Sequence, residues 1–143
     1  MRRWCLDVPA SCVLCSTHEE SREHLFFNCI YSFTIWNHFL TRANLQAPNT
    51  YDTIVMWMTR PSSEPHVTLI VRLLYQASMY AIWRERNARL HSSVQRTSDT
   101  LITEIKDTIK LRLVPLSRST RLNSSSVSSL TPLGTWNTLA FKK

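Results

Sequence analysis

Residues 12–29 read CVLCSTHEESREHLFFNC, and this stretch decides how the chain is organised. Cys12, Cys15, His24 and Cys29 fall within it at the spacing C-x2-C-x8-H-x4-C. Three thiolates and one imidazole close a tetrahedral shell around Zn²⁺, and the two-residue gap between the first pair lets a tight turn aim both sulfurs at one point. With every position filled by protein, no coordination position is left for water, so the site is read as structural. Such a metal contributes on the order of 10 kcal/mol of apparent binding free energy, more than the few apolar groups of this loop supply.

Competing readings of the same residues stand beside this one. His18 in place of His24 gives C-x2-C-x2-H, whose short second gap strains the loop. Cys5 in place of Cys12 loses the convergent pair, and Cys5 is read as a spare thiol beside Trp4. Cys12 and Cys29 would be ordinary buried cysteines in a chain without metal, a common fate for free Cys. A C-x2-C redox centre calls for an exposed helix N-terminus at the first Cys, which Ser16-Thr17-His18 does not open convincingly.

Working outward, Glu19, Glu20 and Glu23 sit where the first turn of a helix welcomes negative charge, and they are read as a solvated helix start. His24 and Cys29 are five residues apart, about 140° out of phase on a straight helix. Both reach one metal only if the helix breaks or kinks between them. The expectation is a short helix over 20–28, a break over 29–31, and a second helix with Ile35, Trp36, Phe39 and Leu40 on one face that ends over 42–44. A short helix follows over 51–59. A long one runs from Pro65 to about His91 with a stripe of Val67, Ile70, Val71, Leu74, Ala77, Ala81 and Ile82. Another, capped by Ser98-Asp99, carries Leu101, Ile102, Ile105, Ile109 and Leu113 and is closed by Pro115. From Ser117 the composition turns Ser-rich, and 117–143 is expected to be a disordered tail in which Trp136 and Phe141 need not dock.

The chain has 143 residues, 43% of them hydrophobic, enough for one compact core with a tail. Gly134 is its only glycine, which disfavours turn-rich β architectures and phosphate-binding glycine loops. The expected fold is all-α: a small helical domain with an N-terminal zinc-knuckle-like loop. It divides into a zinc-binding segment with the first helices (1–45), a helical region (46–116) and the Ser-rich basic tail (117–143). The N-terminus has no apolar run long enough for a signal peptide, so clustered Cys and His favour metal over disulfides. No stretch is read as crossing a membrane.

Net charge is +7, from 17 basic and 10 acidic residues, and the excess lies toward the C-terminus: residues 101–143 carry seven basic and two acidic groups. That balance suits phosphate backbones, RNA or DNA, or else is a solvated tail without a partner. The stretch Trp83-Arg84-Glu85-Arg86-Asn87-Ala88-Arg89 offers Arg84, Arg86 and Arg89 as nucleic-acid contacts, against the plainer reading of cations at a helix C-terminus. The ten acidic residues are scattered, without the convergent carboxylates of two-metal chemistry, and no nucleophile elbow or phosphate loop is present. The expectation is a protein that is not an enzyme by itself and has no small-molecule substrate.

Cys12-Val-Leu-Cys15, Glu19-Glu20-Ser21, His24-Leu-Phe-Phe-Asn-Cys29, Tyr31-Ser32 and Ile35-Trp36, with the later Ile82-Trp83-Arg84-Glu85-Arg86-Asn87-Ala88-Arg89-Leu90-His91, resemble the zinc-binding domain after the reverse transcriptase of plant non-LTR (LINE-type) retrotransposons and the segment that follows it. The likeness extends over about residues 2–113. It implies zinc at Cys12, Cys15, His24 and Cys29, auxiliary nucleic-acid binding, and partnership with a reverse-transcriptase polypeptide. The rival is a helical protein-interaction module, or a retroelement remnant without a role, and exposed faces of Trp36, Trp57 or Trp83 would favour it. The family commonly has Pro after the last Cys, where Ile30 stands here, and its domain usually begins further upstream, so the chain resembles a truncated copy.

Overall fold

The structure, a computed structural model, describes residues 10–123 and 131–140. A loop leads into a π turn (His24–Asn28), followed by α1 (Ile30–Arg42), α2 (Tyr51–Trp57), α3 (Pro65–His91), α4 (Ser98–Asn123) and α5 (Pro132–Ala140). The fold is all-α; among the described residues the only extended pairing is a single antiparallel bridge, Ser11 to Glu19, inside the N-terminal loop. No described helix is long and apolar enough to cross a membrane.

Local signals place most helix ends. Asn44 takes the left-handed conformation after α1, and the Leu45 and Asn44 amides return to the carbonyls of Leu40 and Thr41, satisfying the last turn. Pro65 opens α3 behind Glu64, whose carboxylate accepts from the His66 amide. At α4 the cap is Thr97, one residue before the expected Ser98-Asp99: its hydroxyl accepts from the Thr100 amide at 3.3 Å.

α3 and α4 pack antiparallel, since Gln76 meets Arg112 and Arg84 meets Glu104, eight residues up one helix and eight down the other. Ile70, Leu74, Ala77, Ala81 and Ile82 face Leu101, Ile105, Ile109 and Leu113, all buried. α1 lays Ile35 and Phe39 onto that core. Its Trp36 and Leu40 join Phe27 and Ile54 in a second cluster beneath α2.

Pro115 does not close α4, which continues to Asn123. The i+4 stripe runs on beyond it through Leu113 to buried Ser117, while the proline ring lies on the exposed side. The expected tail over 117–143 is in part helical. Thr131 caps α5 by accepting from the Gly134 amide, the Leu133 amide donates to Ser117 Oγ, and Trp136 is buried with its ring 6.1 Å from that of Phe39. Residues 124–130 and 141–143, the latter including Phe141, lie outside the described residues.

Candidate metal centre

The loop that opens the described chain is folded back on itself. The Cys12 amide donates to the His18 carbonyl, the Ser16 amide to Cys12, and the Glu20 amide to Ala10. Ser16 stands at φ 57°, the left-handed region, directly after the second cysteine. That conformation costs a residue with a Cβ about 1–2 kcal/mol, and it turns the chain so that Cys12 and Cys15 face the same point.

The other two donors come from the π turn. The Cys29 amide donates to the His24 carbonyl at 2.6 Å, a five-residue return, and Cys29 itself is extended, with ψ 134°, before α1 begins. The required break is therefore built twice, by the wider turn and by the extended residue that ends it. Two α1 side chains make the irregular turn tolerable. Ser32 Oγ donates to the Leu25 carbonyl, and Trp36 Nε1 donates to the Phe26 carbonyl at 2.9 Å. Ile30, where the family pattern commonly has Pro, is the first residue of α1 and is largely exposed, so the break does not depend on the ring.

The result brings Cys12 Sγ, Cys15 Sγ, His24 and Cys29 Sγ together, their ligand atoms all within 4.8 Å of one another. Cys12 Sγ lies 3.9 Å from Cys29 Sγ, and Cys15 Sγ 3.3 Å from His24 Nε2. A tetrahedral zinc with Zn–S near 2.3 Å sets its sulfurs about 3.8 Å apart, so the donors fit zinc in number, kind and spacing. These four residues are positioned to bind one zinc ion. His18 is exposed and outside the set; its Nδ1 meets the Thr17 hydroxyl at 2.8 Å. Cys5 lies outside the described residues.

The thiols are unequal. Burial works against the Cys15 thiolate, but hydrogen bonds from the Thr17 hydroxyl and backbone, from His24 and from the His18 backbone outweigh it and bring the pKa down to about 5. Burial pushes Cys29 up to about 12, and neighbouring Cys12 adds to the rise. One ligand is thus ready as the anion, and another gives up a proton when metal arrives.

Two of the arginines singled out in the sequence, Arg86 and Arg89, reach the loop that carries this centre. Arg86 donates twice to Glu20 Oε1, at 2.9 and 2.6 Å. Glu20 is therefore turned inward and is not part of a solvated helix start. Arg89 pairs with fully buried Glu85 at 2.9 Å, reaches the Val13 and Leu14 carbonyls at 3.4 and 3.3 Å, and lies over the Tyr31 ring. Arg96 holds the other Glu85 oxygen at 2.9 Å and bridges to Glu104. Burial alone would raise the Glu85 carboxyl, yet hydrogen bonds from Arg89 and Arg96 hold it below the usual carboxylate range. Arg84, also bound to Glu104, is nearly half exposed.

Arg86 and Arg89 thus fasten the metal loop to α3, with Arg89 reaching the two carbonyls between Cys12 and Cys15. Sequence reasoning missed this function. The i, i+4 spacing of Glu85 and Arg89 was its one local signal; the partners in the loop are more than 60 positions away.

Residues 1–36 match the family model described as zinc-binding in reverse transcriptase, which spans all four ligands and the first half of α1. No curated protein and no solved structure matches the chain.

Proposed function

We propose that the chain is a structural-zinc module derived from a LINE-type reverse transcriptase, and that it serves as a non-catalytic accessory that binds nucleic acid. The observation that carries the reading is the convergence of Cys12, Cys15, His24 and Cys29 on one point. A filled tetrahedral shell leaves zinc no position for substrate or water, so the metal holds shape and the chain's surface does the binding.

The surface has the charge for that work. The net +7 includes exposed Lys110, Arg112 and Arg118 along α4, and Arg84 on α3, paired with Glu104, stays nearly half exposed. Arg86 and Arg89 would have to exchange internal partners to meet a phosphate, which gives them the architectural part and Arg84 the external one. The test is binding of zinc-loaded chain to mixed-sequence RNA and DNA across a salt series. Affinity is expected to fall steeply as salt rises. Absence of binding at low salt would contradict the reading.

A second reading, docking of a protein segment, draws on a cleft of about 330 Å³ between α1 and α2, lined by Phe33, Trp36, Leu40, Trp57 and Met58. Trp36 itself is buried and Trp57 half-buried, while Trp83, 51% exposed on α3 away from this cleft, meets the expectation set for a protein-interaction module. A peptide that protects this cleft while leaving nucleic-acid binding intact would favour it.

A further inference from the structure

Tyr80 and Trp83 remain 60% and 51% exposed on the outer face of α3, although Trp36 and Trp136 are buried. They stand three apart on the helix, their ring centroids 6.3 Å from one another. The Arg84 guanidinium lies 5.9 Å from the Tyr80 ring. Arg112 of α4 reaches the same face, bound there to the amide oxygen of Gln76. About two turns before Tyr80, Arg72 is anchored by the Met58 and Thr59 carbonyls, which fix its position, and among the described residues no carboxylate pairs with it. From Pro65 to Arg84 the helix carries no Asp or Glu, and Glu104 is the acid that pairs with Arg84.

We infer that this face is a stacking platform for single-stranded nucleic acid: bases lie on Tyr80 and Trp83 while Arg72, Arg84 and Arg112 hold the flanking phosphates. The inference rests on the nucleic-acid reading above and gives it a site. Aromatic faces accept any base, and cations spread along some 18 Å of helix follow a backbone. A duplex keeps its bases stacked inside and offers such rings nothing to receive. The charge is what separates this face from an apolar protein-docking surface.

The experiment compares binding of a labelled oligo(dT) strand and a blunt duplex by the zinc-loaded full chain and by three variants: Tyr80→Ala, Trp83→Ala, and Arg84→Gln with Arg112→Gln. Each aromatic variant is expected to weaken single-strand binding roughly 5- to 100-fold with its salt slope unchanged. The arginine pair is expected to lower that slope by roughly 0.7 per lost phosphate contact. Zinc content and thermal midpoint, measured alongside, should match the parent because the side chains are exposed. If the parent binds and the aromatic variants bind equally well, the platform is wrong while nucleic-acid binding stands; if the parent does not bind, both fall. Self-association of the parent that Trp83→Ala abolishes, without an effect on oligo(dT), would instead make the face a protein interface and overturn the inference.

Discussion

The N-terminal loop and the α3–α4 pair are held by different physics. In the pair, two apolar stripes bury Ile70, Ile82, Leu101, Ile105, Ile109 and Leu113 almost completely, and burial of such side chains stabilises by roughly 1.5–3 kcal/mol each. In residues 10–21 the loop places only Cys12 and Leu14 in the core and keeps a non-glycine residue in the left-handed region. Its order comes from four ligand side chains and from arginines that reach over from α3. The helical pair is held by apolar burial, with α1 and α5 completing the cover over its stripes, whereas the loop is expected to take its order from metal.

The largest effect that separates the two regions is loss of a ligand. Cys15→Ser or His24→Ala is expected to release the zinc and expose the amides of the loop and π turn to fast hydrogen exchange, while the α3 and α4 amides stay protected. Loss of protection in both regions at once would mean that the loop and the helices are one cooperative unit.

Next comes the joint between them. Glu85→Ala leaves Arg89 and Arg96 without their shared carboxylate, and breaking such a buried pair costs about 3–5 kcal/mol. The thermal midpoint is expected to drop by on the order of 10 °C, with zinc held less tightly because Arg89 no longer positions the loop carbonyls. A midpoint unchanged by Glu85→Ala would show that the joint is not part of what holds the molecule. The same carboxyl sets a pH response. Its pKa is depressed in the fold, so its contribution is complete above the ordinary carboxylate range and is lost as pH falls through the folded value.

Both regions were legible in the sequence to different depths. The stripes of α1, α3 and α4 follow from helical period alone, and Pro65 marked its boundary correctly. The ligand set was readable from spacing, and the out-of-phase geometry of His24 and Cys29 demanded a break. How the break is made was not readable, because the π turn depends on Ser32 and Trp36 capping carbonyls from the next helix. Pro115 misled for a related reason: a proline ends a helix on local grounds, but here Leu113 and Ser117 keep facing the core, and the ring points outward. Glu20, Arg86 and Arg89 read as surface charges because partners distant in sequence leave no periodic trace.

Proton release sharpens the comparison from the metal side. Cys15, at about 5, is already a thiolate at neutral pH, whereas Cys29, at about 12, holds its proton until zinc displaces it. Zinc affinity is therefore expected to rise with pH, by at least about ten-fold per unit since every ligand that gives up a proton adds to the slope, measured by competition with a chelator. Affinity independent of pH across the neutral range would contradict ligation by thiols that lose their protons to the metal. The smallest effect tests the break itself. Ile30→Pro places the ring at the first position of α1 behind an extended Cys29, where its geometry is compatible. A gain of about 0.4–1 kcal/mol is expected, read from denaturant unfolding; a loss would show that the Ile30 side chain or amide contributes to holding the turn.

Whether Cys12, Cys15, His24 and Cys29 hold one zinc is decided by native mass spectrometry of the purified chain. One zinc per chain, absent from Cys15→Ser and His24→Ala, is the predicted result. A metal-free chain whose residues 10–29 are as well ordered as its helices would contradict it.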